Sequence, residues 1–170
     1  DEVSCSAVAS FADPNVGSNK TVAVSGVELA GQDAPNYHLT AFNETATASI
    51  SAIRVSAAVS AANRVYDGSA AASITGCFVT GALAGDDVRC EVGSAAFDSK
   101  DAGLGKQVTA VGISLAGADA DKYSLSSTEA TTSADVSSAP VSATVSAESR
   151  HFDGTTAAVT HCQLAGVLGS

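Results

Sequence analysis

Val, Ile and Ala alternate with Ser and Thr in short runs such as Thr21-Val22-Ala23-Val24, Ser49-Ile50-Ser51-Ala52-Ile53 and Val55-Ser56-Ala57-Ala58-Val59. A period of two puts every other side chain on one face, so these runs predict half-buried β-strands. The alanines of 56–62 invite a helix, but Ser and Val interleaved at period two oppose it. Gly, Asp, Asn and Pro separate the runs, as expected of short antiparallel strands. Tyr66-Asp67-Gly68 and Phe152-Asp153-Gly154 predict tight turns, in which the Asp carboxylate accepts nearby backbone N–H groups and the Gly takes a positive φ. The aromatic before each Asp is expected to plug the edge of the core.

The pattern repeats. Phe97 follows Phe11 by 86 residues, and the same shift superposes Gly103 on Gly17, Lys106 on Lys20, Leu115-Ala116-Gly117 on Leu29-Ala30-Gly31, Asp119 on Asp33, Tyr123 on Tyr37, Arg150 on Arg64 and Phe152-Asp153-Gly154 on Tyr66-Asp67-Gly68. A slip to 85 then places Cys162 on Cys77, Gly166 on Gly81, Leu168 on Leu83, and Asp86-Asp87-Val88-Arg89-Cys90 on Asp1-Glu2-Val3-Ser4-Cys5. Two periods of 85 fill the 170 residues, yet the sequence starts and stops inside a motif. Leu83-Ala84-Gly85 runs on into Asp86-Asp87-Val88, whereas Leu168-Gly169-Ser170 ends where Asp1-Glu2-Val3 would follow. The two ends read as consecutive. The expectation is a period-pair cut from a longer array, or a subunit whose tail meets the head of the next copy.

Taken in order, Arg64-Val65-Tyr66-Asp67-Gly68, Gly81-Ala82-Leu83-Ala84-Gly85-Asp86-Asp87-Val88, Phe97, Gly103-Leu104-Gly105-Lys106 and Leu115-Ala116-Gly117-Ala118-Asp119-Ala120-Asp121-Lys122-Tyr123-Ser124-Leu125 resemble the YDG repeat. That module occurs in tandem in large bacterial surface and filamentous haemagglutinin-like adhesins, beside the similar MBG-type repeats. The resemblance covers essentially the whole chain. It divides it into the C-terminal part of one module (1–54), a complete central module (55–140) and the N-terminal part of a next one (141–170), completed by residues 1–54 of an adjoining copy. It implies an extracellular, β-rich spacer or adhesive module, and it brings no catalytic residues. Phe152 in place of Tyr66 departs from the pattern and argues against an essential phenol hydroxyl. The fold expected is all-β: tandem immunoglobulin-like antiparallel β-sandwich modules of about 85 residues, with β-grasp-like modules as the alternative.

Composition sharpens this in two ways. Hydrophobic residues make up 45% of the chain but aromatics only 5%, with no Trp or Met, so the core is built of small aliphatic side chains. Each buries little area, and such a module gains from covalent staples and stacked neighbours. Against 18 Asp and Glu stand 8 scattered Lys and Arg, a net charge of −10, which disfavours nucleic acid as a partner and favours solubility at high local concentration. No apolar run reaches the roughly 20 residues that cross a bilayer as a helix.

Cysteines stand at 5, 77, 90 and 162. Cys77 and Cys90 are 13 apart and flank the turn-rich span from Gly81 to Asp87, so a hairpin would bring their sulfurs together. Cys162 lies 8 residues before the last position and Cys5 is the fifth of a following copy, which restores the spacing of 13. The expectation is an intrachain Cys77–Cys90 disulfide and a Cys5–Cys162 disulfide between adjoining copies, in an oxidising, secreted or cell-surface setting. The other pairings of four cysteines and free thiols stay open. Zinc lacks any Cys-x-x-Cys, and His161 beside Cys162 has Gly76 as its counterpart.

Little else suggests chemistry. His38, His151 and His161 face Ser124, Val65 and Gly76 in the repeat, and no Gly-x-Ser-x-Gly frames a nucleophile, so no enzyme, cofactor or metal is expected. Asp1-Glu2, Asp86-Asp87 and Asp119 with Asp121 fit no EF-hand spacing and are read as solvated turn carboxylates. Lys20 and Lys106 are read as surface lysines at strand starts. Asn19-Lys20-Thr21 and Asn43-Glu44-Thr45 are sequons that do not recur in the second copy. The partners expected are further copies of the chain end to end, with host or matrix glycans as the alternative. Sugar sites favour exposed aromatics, which are scarce here.

Overall fold

A computed structural model describes residues 1–42 and 44–169. Asn43, the acceptor of the second sequon, and Ser170, which ends the sequence, lie outside the described residues. In chain order the strands are β1 (Ser4–Phe11), β2 (Gly17–Ala30), β3 (Thr45–Ile50), β4 (Ile53–Ala61), β5 (Arg64–Val65), β6 (Ile74–Thr80) and β7 (Arg89–Glu91). They continue as β8 (Ser94–Phe97), β9 (Gly103–Val111), β10 (Ser114–Ala116), β11 (Tyr123–Leu125), β12 (Glu129–Ser137), β13 (Ser142–Ala147) and β14 (Thr160–Ala165). Among the described residues there is no α-helix, only the 3-10 turns Ala34–Asn36 and Ala120–Lys122. The protein is all-β. The alanine-rich stretch after Val55 is strand, as its period of two predicts.

The chain forms two compact units. The first gathers Asp1–Val55, Gly81–Val88 and Leu115–Ser126. Its main sheet has the order β1-β2-β3, antiparallel throughout. A bulge between Ser6 and Val8 absorbs one residue of register, at the place where the repeat shift changes between 85 and 86. Ile53-Arg54-Val55, the start of β4, lies parallel to β11, with Tyr123 opposite Ile53 and Leu125 opposite Val55. Val22, Val55 and Tyr123 are buried here.

The second unit gathers Ser56–Thr80, Arg89–Ser114 and Ser127–Ser170. One layer is the four-stranded sheet β5-β12-β9-β8. The other pairs residues 56–61 of β4 with β6, antiparallel, with Val59 opposite Cys77. Between them Phe97, Val108, Ala134 and Val136 form the buried core, and Ala61, Ile74, Ala72, Ala95 and Tyr66 pack against it. This two-layer arrangement is sandwich-like. A separate hairpin, β13-β14, repeats the β4-β6 register, with Val145 opposite Cys162.

Three expectations need correction. Ser49–Ile53 is not one strand: the ladder breaks at Ser51-Ala52, because Ile50 pairs with β2 whereas Ile53 pairs with β11. Pairing is not wholly antiparallel: β11 with β4 and β5 with β12 are short parallel contacts. Lys20 and Lys106 do not stand free at the surface. Lys106 folds down onto Asp98 at 2.9 Å and Ser99 Oγ at 2.5 Å, and Lys20 onto Asp13 and the Asn15 carbonyl, each with most of its side chain covered.

Candidate functional site

The turn that carries the sequence motif is built by Arg64 and Asp67. Asp67 Oδ1 accepts the Ser69 N–H at 2.8 Å, Gly68 takes φ 83°, and the Arg64 guanidinium pairs with Asp67 and donates to the Ser69 and Ala71 carbonyls at 2.8 and 2.5 Å. The same guanidinium lies 5.7 Å from the centre of the Phe97 ring. Tyr66 packs on the core edge, its backbone N–H bonded to the Ser137 carbonyl at 2.8 Å and its ring under Lys100 Nζ at 5.5 Å. Lys100 Nζ also donates to the Tyr66 hydroxyl at 3.3 Å. The second turn has the same local form: Asp153 Oδ1 accepts the Thr155 N–H at 2.9 Å, Gly154 takes φ 76° and Arg150 pairs with Asp153.

A second recurrent feature is a clasp that sequence reasoning missed. Asp119 Oδ2 accepts the Asp87 backbone N–H at 2.8 Å, and Asp86 Oδ2 accepts the Tyr123 hydroxyl at 2.5 Å. Tyr123 Oη in turn accepts the Leu83 N–H at 3.0 Å. The head repeats it: Asp33 Oδ2 accepts the Glu2 N–H at 2.6 Å and Asp1 accepts the Tyr37 hydroxyl. Asp1, Asp86 and Asp119 are therefore structural acceptors and not merely solvated turn carboxylates. The signal was present as Leu-Ala-Gly-x-Asp and Tyr recurring at 86, but the partners lie more than thirty residues away.

Cys77 and Cys90 form a disulfide, with Cα atoms 5.7 Å apart. Cys5 and Cys162 are free, exposed thiols. The exposure of repeated positions is sharply uneven in the same sense. Phe97 is 5% exposed and its counterpart Phe11 38%; Tyr123 is 6% exposed and Tyr37 49%. Val55 is 2% exposed and Val141 54%. The expectation that both turn aromatics plug the core fails at Phe152, which is 99% exposed. The physical reason is that Tyr66 is covered by residues of β8, β9 and β12, and among the described residues no strands stand over Phe152 in that way.

Residues 1–50 line two open cavities. Phe11, Ala12, Asp13, Pro14 and Ile50 line an open cavity of about 460 Å³. By the shift of 86 these are the counterparts of Phe97, Asp98, Ser99, Lys100 and Val136, of which Phe97 and Val136 belong to the core that Tyr66 packs against and Lys100 lies on its ring. Asp1, Val3, Leu29 and residues 37–41 line another, of about 420 Å³. Residues 37–39 carry no strand, whereas their counterparts Tyr123–Leu125 form β11 beside β4. A third, apolar groove of about 370 Å³, lined by Tyr66, Asp101, Val141, Val167 and Leu168 among others, has Tyr66 as its one aromatic.

Hydrogen bonds also set the acid limit of the fold. The Ser69 N–H holds the Asp67 carboxyl below its ordinary pKa, and Lys106 does the same for Asp98 and Lys122 for Asp119. A carboxyl whose folded pKa is depressed adds stability that is present above the unfolded value near 3.8 and lost as pH falls through the folded one. The urea midpoint should therefore hold from pH 7 to about 5 and decline below about 4. A midpoint unchanged down to pH 3 would contradict it.

Among the described residues, no three His, Cys, Asp or Glu side chains are placed to hold a metal ion, and no helix is long and apolar enough to cross a membrane. Residues 1–48 and 50–133 match the family model of the YDG domain. No curated protein and no solved structure matches the chain.

Proposed function

The chain belongs to the YDG domain family, and from that premise we propose that it is a structural repeat module of an extracellular filament or giant surface adhesin, its copies joined end to end into a stiff rod. One observation carries this reading: the complete repeat is stapled by the Cys77–Cys90 disulfide and packed around Phe97, Val108, Ala134 and Val136. Cys77 and Cys90 are bonded, while Cys5 and Cys162, at the same positions in the two incomplete modules, are exposed thiols. The motif residues that recur serve the fold: Arg64, Asp67 and Gly68 make a turn, Gly117, Asp119 and Tyr123 a clasp, and Phe97 and Val108 a core. Roles of that kind support a mechanical module over a catalyst. The disulfide supports an oxidising compartment, and with it the surface of a cell or the medium outside.

In this reading Cys162 of one copy bonds Cys5 of the next. By thiol–disulfide exchange with a small organic disulfide, the two thiols become one S–S bond and the small disulfide leaves as two thiols, so electrons and protons balance. The 170-residue chain, incubated with such a disulfide and run without reductant, should give a ladder at multiples of 16.6 kDa. Reductant should collapse it to the monomer, and Cys162→Ser should abolish it. A single monomer band would overturn the reading, whether both thiols remain alkylatable or both are consumed within one chain.

A further inference from the structure

We infer that β5 and β12 are a mechanical clamp, by which the complete repeat resists tension passed along the chain. The inference deepens the end-to-end reading and rests on it for the source of the tension. Modules joined in series pass any pull from one to the next through the backbone. In the complete repeat that pull reaches β5 through Asn63, on its N-terminal side, and β12 through Ser138, on its C-terminal side. The two strands lie parallel, with Val136 opposite Arg64 and Ser137 opposite Val65. The pulled ends therefore point opposite ways, and tension slides one strand along the other. The bonds between them are loaded together. Ile53–Val55 of β4, which the pull meets first, lies parallel to β11 in the same sense, with the Ser126 N–H on the Val55 carbonyl at 2.8 Å. An antiparallel hairpin pulled by its two ends opens instead one bond at a time. The hairpin of β13 and β14 has that form, with Ser142 opposite Ala165.

β5 has two residues and would hold little by itself. Bonds on either side extend it. Tyr66 N–H donates to the Ser137 carbonyl at 2.8 Å, Ser137 Oγ donates to the Arg64 carbonyl at 3.3 Å, and Asn63 Oδ1 accepts the Asp135 N–H at 2.8 Å. Residues 63–66 are thus joined to residues 135–137 as one unit. The Arg64 side chain pins β5 from its other end. Its guanidinium donates to the Ser69 and Ala71 carbonyls and lies over the Phe97 ring. That stretch is in turn fixed to β8, since Phe97 N–H donates to the Ala70 carbonyl at 2.8 Å and Ala72 N–H to the Ala95 carbonyl at 3.0 Å. To slide β5 out is to draw Arg64 off Phe97 while all the bonds to β12 part. The recurrent Arg and Asp-Gly turn then serve the resistance of the module as well as its shape.

The test is force applied to the full 170-residue chain, held by its ends between two marker domains and unfolded at constant load. The β13–β14 hairpin should open at low load and the complete repeat only at a much higher one. The step of the complete repeat is recognised by the Cys77–Cys90 bond, which holds back 13 residues, so that reductant should lengthen it by about 40 Å. The N–H and C=O of one strand residue face the same side, so Ser137→Pro removes both the hydroxyl and the N–H turned to β5. It should speed that step about 100-fold at a given load. Asn63→Ala, at an exposed position, removes one bond and should speed it about tenfold. Val108→Ala, in the core, should lower the thermal midpoint by about 10 °C yet change the loaded rate less than about threefold, because the core is still packed when the clamp parts. Circular dichroism checks that each variant folds, and where Ser137→Pro does not, Asn63→Ala decides alone. The disulfide-marked step occurring at the load that opens the hairpin, a rate unmoved by the clamp substitutions, or an equal rise with Val108→Ala would each overturn the inference. The covalent ladder is a separate readout: a chain that forms it yet yields at low load keeps the end-to-end reading and loses the clamp.

Discussion

Replacing Gly117 with alanine is expected to lower the free energy of unfolding by about 4 kcal/mol. Gly117 has φ 116°, a conformation L residues rarely adopt, and a Cβ there would lie well inside the van der Waals shell of the Asp87 carbonyl oxygen and 2.9 Å from its carbon. Both atoms are backbone and cannot turn aside as a side chain would. The Asp87 segment is also held by its N–H to Asp119, so relief of the clash breaks the clasp. Gly31→Ala is expected to behave alike, since its Cβ meets the Glu2 carbonyl in the same way. Gly26→Ala is the control: φ is again positive, at 57°, but nothing lies within 4 Å, and about 1 kcal/mol is expected. Urea denaturation of the three variants measures the order, and equal losses at Gly117 and Gly26 would refute the clash.

That clasp marks the boundary of what the sequence discloses. The turn at Asp67-Gly68 was legible because an Asp carboxylate reaches only two residues ahead to the Ser69 N–H, and a local bond needs a local sequence. The strand at Val55–Val59 was legible for the same reason, its period showing in five residues. Asp119 reaches Asp87, and Tyr123 reaches Asp86, across more than thirty residues, so neither contact has a neighbour in sequence to announce it. What did show was recurrence: Leu-Ala-Gly, Asp and Tyr return together after 86 residues, and positions that return together in a repeat with no shared surface chemistry are positions that touch. Lys106 was misread on the same grounds. A lysine opening a strand looks solvent-facing until the chain before it brings Asp98 and Ser99 beneath its ammonium group.

Phe152 is a different kind of case, because its equivalence to Tyr66 was correct and the inference about its burial was not. Local sequence places the ring after a strand and before an Asp-Gly turn in both copies. Burial is a property of whatever stands opposite, and opposite Tyr66 stand β8, β9 and β12.

Reduction of the Cys77–Cys90 bond, or Cys90→Ser, is expected to lower unfolding free energy by about 3 kcal/mol and the midpoint of thermal unfolding by about 10 °C. The bond closes a loop of 13 residues, and most of its effect comes from the conformations it denies the unfolded chain. Loss of one bridge matters here because the core it supports is small: Phe97, Val108, Ala134 and Val136 are the buried members of the cluster, and two valines, one alanine and one aromatic bury limited area. Calorimetry of the oxidised and reduced chain gives the shift directly, and midpoints within about 2 °C of each other would show that the bridge adds nothing to the fold. Cys162→Ser is the necessary comparison. Its thiol is exposed and unbonded in the isolated chain, so its loss should leave the midpoint where it was while abolishing the covalent ladder. The same residue at the same point of the repeat would then stabilise the fold in one copy and bear only on the link between copies in the other.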